Sequence, residues 1–153
     1  MSSKMMQQSG TQILQDQAVH ADRIKNDEDR DMSLFAAGDT AAQGDLYIVG
    51  LKTMPKGSTR RERQLAEGNT QGSRHVHEDG ELLNPTDPAM VARLIQEATG
   101  AVIDPKYIGP VFMGGNIRHP EHGDHVGYPT DLPCAVVFQR SLDREEREQR
   151  VRD

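Results

Sequence analysis

The chain has 153 residues, 18 basic and 24 acidic, and a formal net charge of −6. This length suits one domain of ordinary size. The acidic excess argues against a dedicated nucleic-acid binder, which needs a basic face to displace counterions from phosphates. Hydrophobic residues make up only 35% of the chain and tryptophan is absent, so we expect part of the chain to stay outside the core.

The only cysteine, Cys134, cannot form an intrachain disulfide, and its apolar neighbours predict a small buried residue. No stretch approaches the roughly 20 apolar residues of a membrane helix. The first residues, MSSKMMQQSG, lack the apolar core of a signal peptide. These features predict a soluble cytoplasmic protein without a membrane contact.

Residues 1–43 are polar and form a predicted N-terminal arm, within which 11–24 could carry a short amphipathic helix. Such an arm is either disordered or ordered by a partner, including a second copy of the chain. The predicted β domain covers residues 44–142. Residues 143–153 are nearly all charged and predict a solvated tail or a short helix.

Short strands dominate the predicted domain. Residues 45–52, rich in β-branched and aromatic side chains, form the first, and 135–140 form the other clear strand. Shorter extended pieces separated by glycine, proline or Asp79-Gly80 are predicted at 63–67, 73–77, 81–84, 101–103, 107–108 and 111–113. Gly114-Gly115 is interpreted as a turn or bulge, and the charged segment 59–63 as a loop or strand edge.

One helix interrupts the strands. Residues 87–99 carry apolar side chains at the three-to-four spacing of an amphipathic helix. Asp87 can cap it, Pro88 suits its first turn and Gly100 can close it. The pattern predicts a mainly β fold, either a small barrel or a jelly-roll-like sandwich, with one inserted helix at about 88–99. An open α+β sheet is the alternative.

Five of the six histidines lie in two stretches, 65–81 (LAEGNTQGSRHVHEDGE) and 118–128 (RHPEHGDHVGY). His75 and His77 are two residues apart, so in a strand both face the same side. Imidazoles placed this way can chelate a transition metal. The candidate ligands are His75, His77, Glu81, His119, His122 and His125.

The two stretches resemble the cupin superfamily, whose members are metal-binding β-barrels of the jelly-roll type. His75, His77 and Glu81 match the spacing of its first motif, and Gly114, Pro120 and His125 match its second. The glycine before the first motif, Gly68, is displaced by one residue, and none follows the glutamate. In the second motif His122 replaces a glycine and Pro129 replaces the terminal asparagine. The resemblance implies a divalent transition metal, with zinc, iron, manganese and nickel not distinguished.

The chain is also similar to a group of small bacterial and tailed-phage proteins that have no assigned activity. Their pattern has Gly-Asp at a first strand, LAEGE-x-TGH-x-H, HPEH, Leu-Pro before a strand ending in QRE, and a terminal V-x-D. The matching segments begin at Gly44-Asp45 and continue through 65–68, Gly72, His75, 119–122, 132–133, 139–140 and 151–153. Ser73 stands where the group has its first histidine. This similarity implies a bacterial-host or virion setting.

The histidines have two further interpretations. They could form a hydrogen-bonded scaffold with backbone carbonyls or with Glu67, Glu78 and Glu121, or they could be separate surface residues. The sequence contains no glycine-rich phosphate loop followed by lysine, no serine nucleophile elbow and no cysteine pair. The sequence therefore predicts a histidine site but does not identify a reaction at that site.

Three functions follow from these patterns. The first is a cupin-like metal-binding β protein. If this protein is an enzyme, its substrate is a small polar molecule that the sequence does not identify. The second is a structural or assembly protein of a phage particle or phage-encoded complex, which contacts its neighbours through the arm. The third and weakest is a nucleic-acid accessory role through Arg60, Arg61 and Arg63.

Overall fold

A computed structural model of the chain describes residues 13–14, 32–43, 46–65, 75–118 and 125–138. Within them the chain forms nine β-strands and a twelve-residue α-helix, α1 (Pro88–Thr99). The larger sheet contains β1 (Thr40–Gln43), β2 (Leu46–Gly50), β3 (Gly57–Thr59), β5 (Glu81–Pro85), β6 (Ile108–Met113) and β9 (Pro133–Phe138). The smaller sheet contains β4 (Val76–Glu78), β7 (Asn116–Arg118) and β8 (His125–Gly127).

Every strand pair is antiparallel. The order is β1-β2-β9-β6-β5-β3 in the larger sheet and β4-β7-β8 in the smaller one. The prediction of a mainly β fold with one inserted helix is confirmed, and its sandwich form fits the two sheets. Among the described strands neither sheet closes into a barrel, so the sandwich is the one of the two predicted forms that is present.

The larger sheet is covered on both faces, which explains why all five residues of β2 are buried. Side chains alternate along a strand, so Tyr47 and Val49 face the helix layer while Leu46 and Ile48 face the smaller sheet. The helix layer contributes Val91 and Ile95 of α1, and Ala101 and Ile103 lie beside them. The smaller sheet contributes Ile117 and Val126.

Helix α1 follows its sequence signals. The Asp87 side chain accepts a hydrogen bond from the amide of Ala89 over 3.1 Å, as an N-cap does. Pro88 begins the helix. Gly100 ends it with φ +83°, and its amide donates to the carbonyl of Gln96. Among the described residues, no helix is long and apolar enough to cross a membrane.

The structure differs from the predicted boundaries in several places. Residues 40–43, predicted in the arm, form β1, and Leu14, Met32 and Phe35 are buried although they also belong to the predicted polar arm. Residues 101–103, predicted as an extended piece, belong to none of the described strands. Tyr107 ends a 3-10 turn, whereas Ile108 and the predicted piece 111–113 belong to one strand, β6, whose Pro110 coincides with a register shift against β9. Most of 1–31 and all of 143–153 lie outside the described residues.

Candidate functional site

The site is built at a corner where two paired strands leave one sheet and enter the other. Strand β4 continues into β5 through Asp79-Gly80, and β6 continues into β7 through Gly114-Gly115. The two strands stay paired across the bend, since Glu78 opposes Asn116 on one side and Glu81 opposes Met113 on the other. A paired ribbon that bends in this way joins two stacked sheets without a free edge between them.

Backbone conformation explains why this corner contains three glycines. Asp79, Gly114 and Gly115 have φ values of +62°, +74° and +78°, in the left-handed region that glycine adopts without strain. A Cβ atom on Gly115 would lie 2.2 Å from the carbonyl oxygen of Glu78, and one on Gly80 would lie 2.5 Å from that of Gly114. Side chains at these positions would force the two strands apart.

His77 lies on the inner side of this corner and is fully buried. Its Nε2 is 2.8 Å from the carbonyl oxygen of Gly114, and its ring packs against Phe112 with centroids 4.7 Å apart. A carbonyl only accepts hydrogen bonds, so the proton of the neutral ring must be on Nε2. The other nitrogen, Nδ1, then presents a lone pair, is buried, and has no hydrogen-bond partner among the described residues.

The surroundings keep this ring neutral. Burial lowers the pKa of His77 because it penalises the charged form, and the nearby positive charge of Arg63 lowers it further. The bond to Gly114 and the carboxylates of Asp79 and Glu78 act in the opposite direction without cancelling the shift. A neutral imidazole with one nitrogen held by a carbonyl and the other unoccupied is the form in which histidine binds a metal.

Two arginines of segment 59–63 donate hydrogen bonds within this region. Arg63 donates from Nε to the carbonyl of His77 over 3.0 Å and from Nη2 to that of Gly80 over 2.8 Å. Arg60 donates to the carbonyl of Gln64 and to the side chain of Asn84. Two of the three arginines considered for nucleic-acid binding are therefore engaged within the protein.

His75 is buried and lies two residues before His77, as the predicted strand requires. Its carbonyl accepts from the amide of Leu65, and the amide of His77 donates to the carbonyl of Arg63. Residues 63–65 therefore run beside 75–77 with a single bridge, between Gln64 and Val76. The predicted strand at 63–67 is therefore reduced, in its described part, to this bridge.

Glu81 and His125 lie apart from the buried imidazoles. Glu81 is exposed at the start of β5, where the buried face is occupied by Leu82. His125 is exposed on β8, and its Nδ1 is 3.9 Å from a carboxylate oxygen of Glu78, which also accepts from Arg118. Within the described part of the chain, no three His, Cys, Asp or Glu side chains group closely enough to hold a metal. His119 and His122 lie outside the described residues.

A buried polar network joins β1 to the smaller sheet beside this site. The Tyr128 hydroxyl donates to Gln43 Oε1 over 3.0 Å, and Gln43 Nε2 donates to the carbonyl of Ile117 over 3.1 Å. The Tyr128 ring also meets the edge of Phe112, the ring on which His77 packs. Gln43 was not predicted as part of a site, because it falls in the predicted polar arm. Cys134 is buried as predicted, and burial raises the pKa of its thiol.

The described residues thus define a two-sheet antiparallel β protein with a buried histidine at the corner between its sheets. Comparison of the chain with protein-family models, with curated proteins and with solved structures finds no match.

Proposed function

We propose that the protein binds a divalent transition metal through the buried imidazoles of His75 and His77, with ligands from the second histidine stretch completing the set. The observation that carries the proposal is the buried Nδ1 atom of His77, which has no hydrogen-bond partner in the part of the chain that the structure describes. A buried nitrogen acceptor without a partner costs free energy, and a metal ion bound to it would remove that cost.

The contact between His77 and Gly114 supports the same interpretation. Metal-bound histidines commonly donate their second ring nitrogen to a carbonyl or carboxylate, which fixes the tautomer and the orientation of the ring. The Nε2 atom of His77 already makes such a bond over 2.8 Å. The ring is therefore prepared in the tautomer that leaves Nδ1 available.

The ligand set departs from the cupin-like pattern. Glu81 and His125 are exposed, whereas His75 and His77 are buried, so we assign the last two to the metal and leave the first two out. His119 and His122 are the remaining candidates, because His119 directly follows β7 in the sequence. Zinc, iron, manganese and nickel all accept imidazole, and the proposal includes no reaction.

Equilibrium dialysis against zinc, followed by elemental analysis, tests this proposal. The informative variant is His77→Gln, because the glutamine amide can still donate to Gly114 but offers no Nδ1. We expect the wild-type chain to bind about one zinc ion and H77Q to lose about 100-fold or more in affinity, beyond the usual loss of an outer-shell partner. The exposed His125→Gln is the matched control and keeps full affinity. Equal zinc binding by wild type and H77Q would contradict the proposal.

A second candidate function is assembly with neighbouring subunits through the N-terminal segment. The observation that favours it is Leu34, which is 85% exposed between the buried residues Met32 and Phe35. Light scattering of Leu34→Gln tests it, with Val102→Gln as the control because Val102 is another exposed apolar residue. Loss of an oligomer in L34Q alone supports assembly. A monomeric wild-type chain, or equal effects of the two substitutions, contradicts it.

A further inference from the structure

We propose that Arg63 is the positioning residue of the His77 site. Its guanidinium group donates hydrogen bonds to the backbone on both sides of the Asp79 bend and thereby keeps the imidazole in place beside Gly114. The inference deepens the proposed metal site and, as a claim about metal affinity, rests on it. Its structural part concerns the orientation of one ring and can be tested without metal.

The first step is the geometry of the fork. Arg63 Nε donates to the carbonyl of His77 and Nη2 donates to the carbonyl of Gly80, so one rigid planar group spans the residues between them. Between these carbonyls lies Asp79, whose φ is +62°. A left-handed residue other than glycine persists only where its surroundings hold it. The two bonds from Arg63 supply that restraint.

The Asp79 bend is connected to the His77 imidazole through hydrogen bonds. The amide of His77 donates to the carbonyl of Arg63, so the backbone of His77 is bound to Arg63 in both directions. The ring itself is held from the opposite strand by Gly114, whose backbone closely approaches Gly80. Relaxation of the Asp79 bend would therefore move Gly80 and Gly114 relative to the imidazole, and the 2.8 Å bond would lengthen.

Only arginine among the basic residues can bond to both carbonyls with one rigid group. A lysine ammonium is a single point of charge on a flexible stem and lacks the fixed fork that meets two carbonyls at once. Methionine keeps much of the apolar stem and removes both bonds. Arg63→Lys should therefore weaken the contact with the backbone less than Arg63→Met does. Val91→Ala is a control for stability alone, because Val91 is buried in α1 on the opposite face of the larger sheet.

The experiment has two measurements. In metal-free protein, NMR of the His77 ring reports whether the Nε2 proton is protected from exchange with water, and a zinc titration reports affinity. We expect R63M to lose the protection and to bind zinc about 10- to 100-fold more weakly, the usual effect of removing an outer-shell partner. R63K should fall between wild type and R63M. V91A should lower the melting temperature and change neither measurement.

The outcomes separate the two proposals. If wild type binds no zinc but R63M loses the Nε2 protection, the metal function fails and the positioning role stands. If wild type binds zinc and R63M retains both the protection and the affinity, the positioning role is overturned and the metal function stands. If V91A changes the ring as much as R63M does, Arg63 acts only through global stability and the positioning role is likewise overturned.

Discussion

The Nε2 atom of His77 donates a hydrogen bond to the carbonyl of Gly114 over 2.8 Å, joining β4 to the bend that follows β6. This bond crosses the corner where the ribbon passes from one sheet to the other. It also fixes the proton on Nε2, because the carbonyl cannot donate. One contact therefore sets both the local structure and the chemistry available at Nδ1.

Replacement of His77 should show how much the hydrogen bond to Gly114 contributes to the stability of the metal-free protein. We expect the metal-free H77Q variant to be more stable than H77N by about 1 kcal/mol, because glutamine can reach Gly114 and the shorter asparagine cannot. Both variants lose ring packing on Phe112, so their difference reports the hydrogen bond together with one buried methylene group. Urea unfolding measures the two free energies. Identical stability in the two variants would show that the bond to Gly114 contributes nothing.

The free energy of unfolding should depend on pH through the same ring. The pKa of His77 is lowered from 6.5 in the folded chain, so below pH 6.5 the unfolded chain binds more protons. Stability should therefore fall as the pH drops through 6.5 towards the folded pKa and should be fully present above 6.5. Urea unfolding of metal-free protein between about pH 8 and pH 5 measures this slope. H77Q should lack this component, and a slope as steep as wild type in H77Q would assign the effect to other groups.

Substitution at the corner glycines should be costly only where the strands are close. Gly115→Ala places a Cβ 2.2 Å from the Glu78 carbonyl at φ +78° and should destabilise by about 2 kcal/mol or more. Gly127→Ala is the matched control, since a Cβ there meets nothing within 4 Å. Its effect should stay within about 0.5 kcal/mol. Comparable thermal unfolding of the two variants would contradict the account of the corner.

The buried network should behave as a coupled unit. Tyr128→Phe removes the hydroxyl that donates to Gln43 and should cost about 1–3 kcal/mol, because the buried Oε1 loses its donor. The same substitution in a Gln43→Met background should cost less. A double-mutant cycle by urea unfolding measures a coupling energy of about 1 kcal/mol or more. Additive effects would show that the two side chains do not depend on each other.

The fold could be predicted where local signals agree with long-range packing. Helix α1 was predicted within one residue because Asp87, Pro88 and Gly100 each have a specific role at its ends. Strand β1 was missed because Thr40–Gln43 (TAAQ) has little strand propensity and is a strand through its pairing with β2. Local periodicity contains no information on such pairing. The choice between the two predicted forms, barrel and sandwich, could not be made for the same reason, since closure depends on which edges meet.

The site could be predicted only in part. The spacing of His75 and His77 predicted that both face the same side, and both side chains are buried. That Glu81 and His125 would be exposed could not be deduced, because it depends on the corner at which β4 passes into β5. The roles of Arg63 and Gly114 were also missed, since hydrogen bonds to backbone carbonyls leave no residue-type signature. The metal assignment to His119 and His122 remains a prediction.

The most direct test of the metal proposal is nitrogen NMR of the His77 ring during zinc addition. In metal-free protein we expect Nε2 to be protonated and Nδ1 to have the shift of an unprotonated nitrogen. As zinc is added, Nδ1 should move to the shift of a metal-bound nitrogen while Nε2 keeps its proton and its bond to Gly114. A ring whose two nitrogen signals do not change at saturating zinc would contradict the account, as would zinc binding at Nε2.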